Sequence, residues 1–266
     1  GFPVEVIAQG QFGGGGGIPD VVVAASNTKF KEAADLVCPG NGLDRLTIRQ
    51  ALDRLPSSGG WVHLLEGDYE ISDNVNVQIG TGRAVRVTGA GMNLTRIKLA
   101  GGVTVDSVFR ITNPTAGGTA IFDDLTINGN KSAGTSAVSM IRVVQQASNA
   151  SVYLNRVRVV DSPGIGIGST VRTAGAWRFH HVIVENAAGA GVQLGEASST
   201  HTGCRYTGNG GDGFNAGALG LVHQFIGCRI DNNGDDGIEH SGTQAGARIV
   251  VVGCAIHGNG GDGVRL

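Results

Sequence analysis

The sequence predicts an all-β solenoid, a stack of similar coils closed at its amino-terminal end by one short α-helix. Three observations predict it. One phrase is written three times near the carboxy terminus: Cys204-Arg-Tyr-Thr-Gly-Asn-Gly-Gly-Asp-Gly-Phe214, Cys228-Arg-Ile-Asp-Asn-Asn-Gly-Asp-Asp-Gly-Ile238 and Cys254-Ala-Ile-His-Gly-Asn-Gly-Gly-Asp-Gly-Val264. The copies start 24 and 26 residues apart, and fainter copies begin at Val157 and Val182. A period in the twenties belongs to solenoids, whose units bury their apolar sides only against neighbouring units. Each unit also opens on an alternating strand, apolar at positions 0 and +2: Val157/Val159, Val182/Val184, Cys204/Tyr206, Cys228/Ile230 and Cys254/Ile256. Strand side chains alternate between faces, so this side points inward and positions +1 and +3 point outward. Finally, clusters of Gly, Asn and Asp end each strand and begin the next.

Composition agrees with this reading. The 266 residues include 46 glycines without a collagen period, and the 41% hydrophobic content suits a folded core. A net charge of -2 supplies no global field, so neither nucleic acid nor an anionic membrane is an expected partner. No apolar run reaches the length of a membrane span, and the amino terminus has no signal-peptide pattern. Cys204, Cys228 and Cys254 share one inward position and read as a stack of small buried thiols. There is no C-x-x-C spacing to suggest zinc, and no metal site is expected from the thiols.

Residues 1–19, with the run Gly13–Gly17, read as a flexible tether. Residues 20–60 hold a first strand, Val21–Ala24, and a capping helix. Thr47 and Gln50 have capping-box spacing, Ile48, Ala51, Leu52 and Leu55 form an apolar stripe, and Pro56 with the Ser-Ser-Gly-Gly run stops the helix. Such a helix covers the open edge of a β-stack. Residues 61–266 form the solenoid, with early strands at 61–65, 69–71, 75–79, 84–88, 96–99, 108–111, 121–127 and 140–144. Gly89-Ala-Gly91 lacks the third glycine and the following helix of a dinucleotide fingerprint, and reads as a turn between coils. Asn93, Asn130 and Asn149 begin sequons. No second capping helix follows the last repeat, so its end is expected to be covered by a further domain or a symmetry mate.

The run Asp44-Arg-Leu-Thr-Ile-Arg-Gln-Ala-Leu-Asp-Arg-Leu-Pro-Ser-Ser-Gly-Gly-Trp-Val-His-Leu-Leu-Glu-Gly-Asp-Tyr-Glu-Ile71, followed by Val87-Thr-Gly-Ala-Gly91 and Thr95-Arg-Ile97, resembles the opening of pectin-lyase-like proteins. Phage tailspikes and pectate-lyase-type proteins share it. The resemblance covers about residues 35–266 and implies a right-handed parallel β-helix. That fold hosts lyases, hydrolases, epimerases and non-catalytic receptor-binding spikes, so it does not choose an activity. The opening Gly-Phe-Pro-Val-Glu-Val also resembles junctions in phage structural proteins.

Polygalacturonase-type enzymes of this fold carry Asn-Thr-Asp, an Asp-Asp pair, Gly-His-Gly and Arg-Ile-Lys. This chain has Asp212, then Asp235 and Asp236, but Asp262 stands in the histidine's place and no Arg-Ile-Lys follows. The candidate catalytic set is therefore Asp212, Asp235, Asp236, Glu239 and His240. Crowded carboxyls raise one another's pKa, as an acid catalyst needs, and glycosidases use two of them. Asn-Gly-x-Asp-Gly is equally a turn recipe, in which Asn and Asp bond nearby backbone. Stacked aspartates have a third use in Ca²⁺, which takes six to eight oxygens; no other cofactor is expected. His240, at position +12 among apolar equivalents, reads as a buried histidine or as a general acid or base.

On the outer face, Glu185, Arg205, Arg229, Asp231 and His257 form a mixed-charge patch able to grip a glycan or to pair internally. The resemblance implies a phage-type tail or virion-surface protein, a homotrimer or larger assembly, that binds or depolymerises a host polysaccharide. A secreted lyase or hydrolase of uronate polymers and a ligand-free virion component are the other two readings.

Overall fold

The computed structural model describes residues 18–112, 117–144, 150–217, 221–241 and 248–266, and at 170–175 and 196 the backbone only. The expected tether at Gly13–Gly17 and the sequon at Asn149 lie outside the described residues. Each regular coil runs through three strands joined by two sharp corners, and a left-handed residue makes each corner. The first corner falls at Asp124, Arg156, His181, Gly203, Gly227 and Gly253, with φ between 50° and 62°. The second falls at Asp161, Asn186, Gly208, Asn232 and Gly258, with φ between 52° and 67°. These are the positions just before and four after the first apolar residue of each unit, so the turn chemistry of the repeat is its corner chemistry.

Equal corners superpose the coils. Three parallel sheets result: sheet A from Gly59–Leu64 to Arg248–Val252, sheet B from Gly67–Ile71 to Ala255–His257, and sheet C from Val75–Gln78 to Val264–Arg265. In sheet B, Arg205 pairs with Arg229 and Arg229 with Ala255, so Cys204, Cys228 and Cys254 lie one above another. All are free thiols; the first two are buried and the third is half-buried. The inward stripe is confirmed by Val157, Val159, Val182, Val184, Tyr206 and Ile230, each fully buried. Position +3 is less simple than the alternation predicts. Val160, Thr207 and Asp231 are buried, and the side chains of Arg229 and Asn232 close over Asp231.

The amino-terminal edge is closed as expected, with one correction. Val21–Ala24 pairs with Gly59–Leu64 on one side and Leu36–Val37 on the other, and the helix Asp44–Asp53 lies against this end of the stack. Ile48, Ala51, Leu52 and Leu55 are its buried stripe. The capping box at Thr47 and Gln50 does not form, because the helix starts earlier, at Asp44. The wholly buried Asp44 carboxylate instead accepts the Gly40 N–H at 2.6 Å and the Glu70 N–H at 2.8 Å, tying the helix to sheet B. At the other end Val252, Val264 and Leu266 are exposed.

Two side-chain ladders lock the last coils. Asn209 Nδ2 donates to Asn233 Oδ1 at 2.9 Å, and Asn233 Nδ2 donates to Asn259 Oδ1 at 2.9 Å. Asn233 also accepts the Asn209 backbone N–H and donates to the Tyr206 carbonyl. Within the core, Phe179, His201 and Phe225 stack with ring centroids 4.4 Å apart. His201 and His223 both bond Ser199 Oγ, and His201 Nδ1 bonds the Tyr206 hydroxyl.

Two outcomes are expected. Asn233→Ala leaves buried partners unpaired on both neighbouring coils and costs about 3 kcal/mol, read from urea melts. Burial lowers the pKa of His201 well below its usual value and that of His223 to about 4, while unfolded histidine titrates near 6.5. In that interval the unfolded chain binds more protons. Stability is therefore whole above about pH 6.5 and is lost as pH falls towards about 4, which melting temperatures across that range will show.

Candidate functional site

Sheet B carries two outward columns because its register is unbroken. One reads Asp68, Arg96, Thr126, Arg158, Ile183, Arg205, Arg229, Ala255; the other reads Glu70, Lys98, Asn128, Val160, Glu185, Thr207, Asp231, His257. All five residues of the predicted binding patch lie in these columns. Their neighbourhood extends further towards the amino terminus than the repeat suggested. A concavity of about 1050 Å³ lies over the early coils of this sheet. Its floor includes Arg96, Lys98 and Arg158, one wall is Ser26 and Asn27, and the other is the second-corner column at Asp161, Asn186 and Gly208.

The arginines of this groove are paired. Arg96 grips Asp68 with both prongs, Nε to Oδ1 at 2.6 Å and Nη2 to Oδ2 at 3.0 Å, and Asn27 adds a bond to Asp68 at 3.1 Å. Arg158 holds Glu185 across adjacent coils, with Nε to Oε1 at 3.1 Å. Arg229 holds Asp231 at 2.7 Å. Burial pushes the Asp231 carboxyl up, but the Arg229 guanidinium and the Thr207 hydroxyl outweigh it and leave it below its usual value. Arg205 and His257 are exposed at the carboxy-terminal end of the face. Lys98, exposed, stands beside Glu70 in register. Sequence reasoning missed Arg96 and Lys98, whose coil lacks the written repeat, and left Arg158 out of the patch although it stands at the outward +1 position of the fainter copy at Val157. The strand alternation at 95–99 and 151–160 was the available signal.

The predicted catalytic residues gather at the corner between sheets B and C. Oxygens of Asp212, Asp235 and Asp236 lie within 4.8 Å of one another. Two of the three are structural rungs: Asp212 Oδ1 accepts the Asp236 N–H at 3.0 Å, and Asp236 Oδ1 accepts the Asp262 N–H at 2.6 Å. This is turn chemistry, repeated coil by coil. Asp235 is exposed where neighbouring coils have Gly211 and Gly261, and a Cβ on Gly261 would come within 2.3 Å of Asp236 Oδ1. Asn215 links Asp212 to Glu239, and Arg265 approaches Asp236 at 3.6 Å and Glu239 at 3.9 Å. Burial, then Asp212, raises the pKa of Glu239. His240 does not join them. Glu239 points out of strand Ile238–His240, so His240 points into the core, where its ring lies 5.6 Å from that of His223. These three aspartates are the cluster that would supply the expected Ca²⁺ ligands, with the Arg265 guanidinium 3.6 Å from Asp236.

Residues 166–266 match the family model of the right handed beta helix region. The fold is a right-handed parallel β-helix. Solved structures agree: this β-helix aligns over 83% of its length with 69% of the A-module of mannuronan C-5 epimerase AlgE4 from Azotobacter vinelandii, at a TM-score of 0.61 and 20% identity. The A-module of AlgE6 from the same organism aligns at 0.53 and 20% identity, over 83% of this chain and 68% of that one. The Agl-KA catalytic domain aligns at 0.58 and 17% identity, over 83% of this chain and 40% of that one. No curated protein sequence matches the chain.

The ladder separates the aspartates by role. Asp236→Ala orphans a backbone N–H and is expected to cost about 2 kcal/mol, whereas Asp235→Ala is expected to stay within about 0.5 kcal/mol. Chemical denaturation of the two variants checks this.

Proposed function

We propose that this β-helix binds a polysaccharide laid along sheet B. The observation that carries the reading is the groove: an open concavity on a face that presents at least one polar side chain on every coil. Rungs about 4.8 Å apart present new donors and acceptors at each step along the axis, as a chain of repeating sugars requires. The mannuronan epimerases that share the fold are named for a polysaccharide, which supports the reading. In its finer form the protein is the glycan-contacting part of a phage-type tail or virion surface, assembled as a homotrimer, supported by the likeness of residues 44–71 to tailspike openings.

Affinity electrophoresis in gels cast with individual polysaccharides tests binding. Retardation by at least one polymer is expected, and Arg96→Ala with Arg158→Ala should weaken it about tenfold or more. Retardation unaffected by that pair would move the site off sheet B. New ultraviolet absorbance or reducing ends in the same mixtures would add lyase or hydrolase activity to binding. A clean monomeric mass in solution would remove the trimer.

A further inference from the structure

The groove has a charge pattern that selects among polysaccharides. It is lined by the cations Arg96, Lys98 and Arg158 and by the carboxylates Asp44, Asp68, Glu70, Asp161 and Glu185, and beyond it on the same face stand Arg205, Arg229 and Asp231. Three direct ion pairs join these groups: Arg96 with Asp68, Arg158 with Glu185, and Arg229 with Asp231. Arg96, Arg158 and Arg229 therefore each spend a carboxylate-binding edge on a neighbour on this face, while Arg205 stands exposed beyond the groove. A carboxylate or sulfate arriving on a ligand must either displace that neighbour or lie beside it. Displacement leaves a carboxylate without its partner, and the alternative sets like charges side by side. Either way a polyanion meets no net attraction, because carboxylates outnumber cations in the groove's lining.

A sugar hydroxyl meets the opposite situation. It donates and accepts at once, so it can take a bond from a free guanidinium N–H and give one to the adjoining carboxylate without breaking the pair. Asn128, whose amide nitrogen can donate, lines the same groove, with Asn27 and Asn186 bonded to Asp68 and Asp161 beside it. Resting on the groove assignment above, we infer that the ligand is an uncharged polysaccharide, recognised through its hydroxyls. On this inference the uronate polymer of the alternative reading is a poor ligand, since the guanidinium groups that would hold its carboxylates are already paired.

The test uses the full chain, a neutral set of polymers (soluble starch, galactomannan, mixed-linkage glucan) and an acidic set (polygalacturonate, alginate), each at low salt and at physiological ionic strength. Retardation by a neutral polymer is expected, about tenfold tighter than by any acidic one, or about 1.4 kcal/mol, and unchanged by salt. A second variant converts the argument into a gain. Asp68→Asn with Glu185→Gln, both at the surface with side chains 49% and 24% exposed, frees Arg96 and Arg158 while keeping side-chain size. It should acquire salt-sensitive binding to polygalacturonate or alginate and lose several-fold in affinity for the neutral polymer. Wild-type retardation by an acidic polymer that salt relieves overturns the inference and leaves the groove as the binding site. A variant with no new affinity for acidic polymers overturns it too, because pairing would not then be what excludes them. Absence of retardation in both sets overturns the groove assignment itself.

Discussion

Everything in this molecule depends on the paired left-handed corners of each coil. A parallel stack keeps its ladder of hydrogen bonds only if successive coils turn at the same places, and a residue held at positive φ is the local device that turns them. Glycine takes that conformation without strain at Gly203 and Gly227. Arg156 and His181 take it at a cost of about 1 kcal/mol each, which indicates how strongly the surrounding register imposes it. With corners aligned, inward residues become columns of core and outward residues become columns of surface.

The second consequence is that polar groups repeat safely inside the stack. An asparagine at the same place in three coils satisfies its own kind above and below, and an aspartate does the same for the backbone N–H of the next coil. A buried amide or carboxylate with no partner costs several kcal/mol, so a ladder protects each rung only while its neighbours are present. That is why Asp212 and Asp236 serve the architecture, each holding a backbone N–H of the next coil. The cross-coil ion pairs of sheet B are the exposed counterpart of the same arrangement. Arg96 with Asp68 and Arg158 with Glu185 each tie one coil to the next, and together they give the groove its mixture of donors and acceptors.

Much of this was legible in the chain itself. The repeat written from Cys204, Cys228 and Cys254 dictated coil length, the inward stripe and the alignment of the thiols, because strand alternation and turn preference are local properties. The outward placing of Arg205, Arg229 and His257 followed from the same alternation. Local sequence also suggested the helix and its buried stripe, but not its first residue, since Asp44 finds its partners at Gly40 and Glu70, the second of them in a different strand.

What only the tertiary structure decided were matters of who meets whom across coils. Arg158 and Glu185 stand at different outward positions of successive copies, and only the stacking of the coils brings them into contact. His240 parted from Glu239 because the strand sends adjacent side chains to opposite faces, and the core it enters is built from Ser199, His201 and His223 of earlier coils. Periodicity dictates a coil, since its causes lie within a few residues. A groove, an ion pair or a buried network is set by the stacking of coils, where the contacts that matter span a full turn or more.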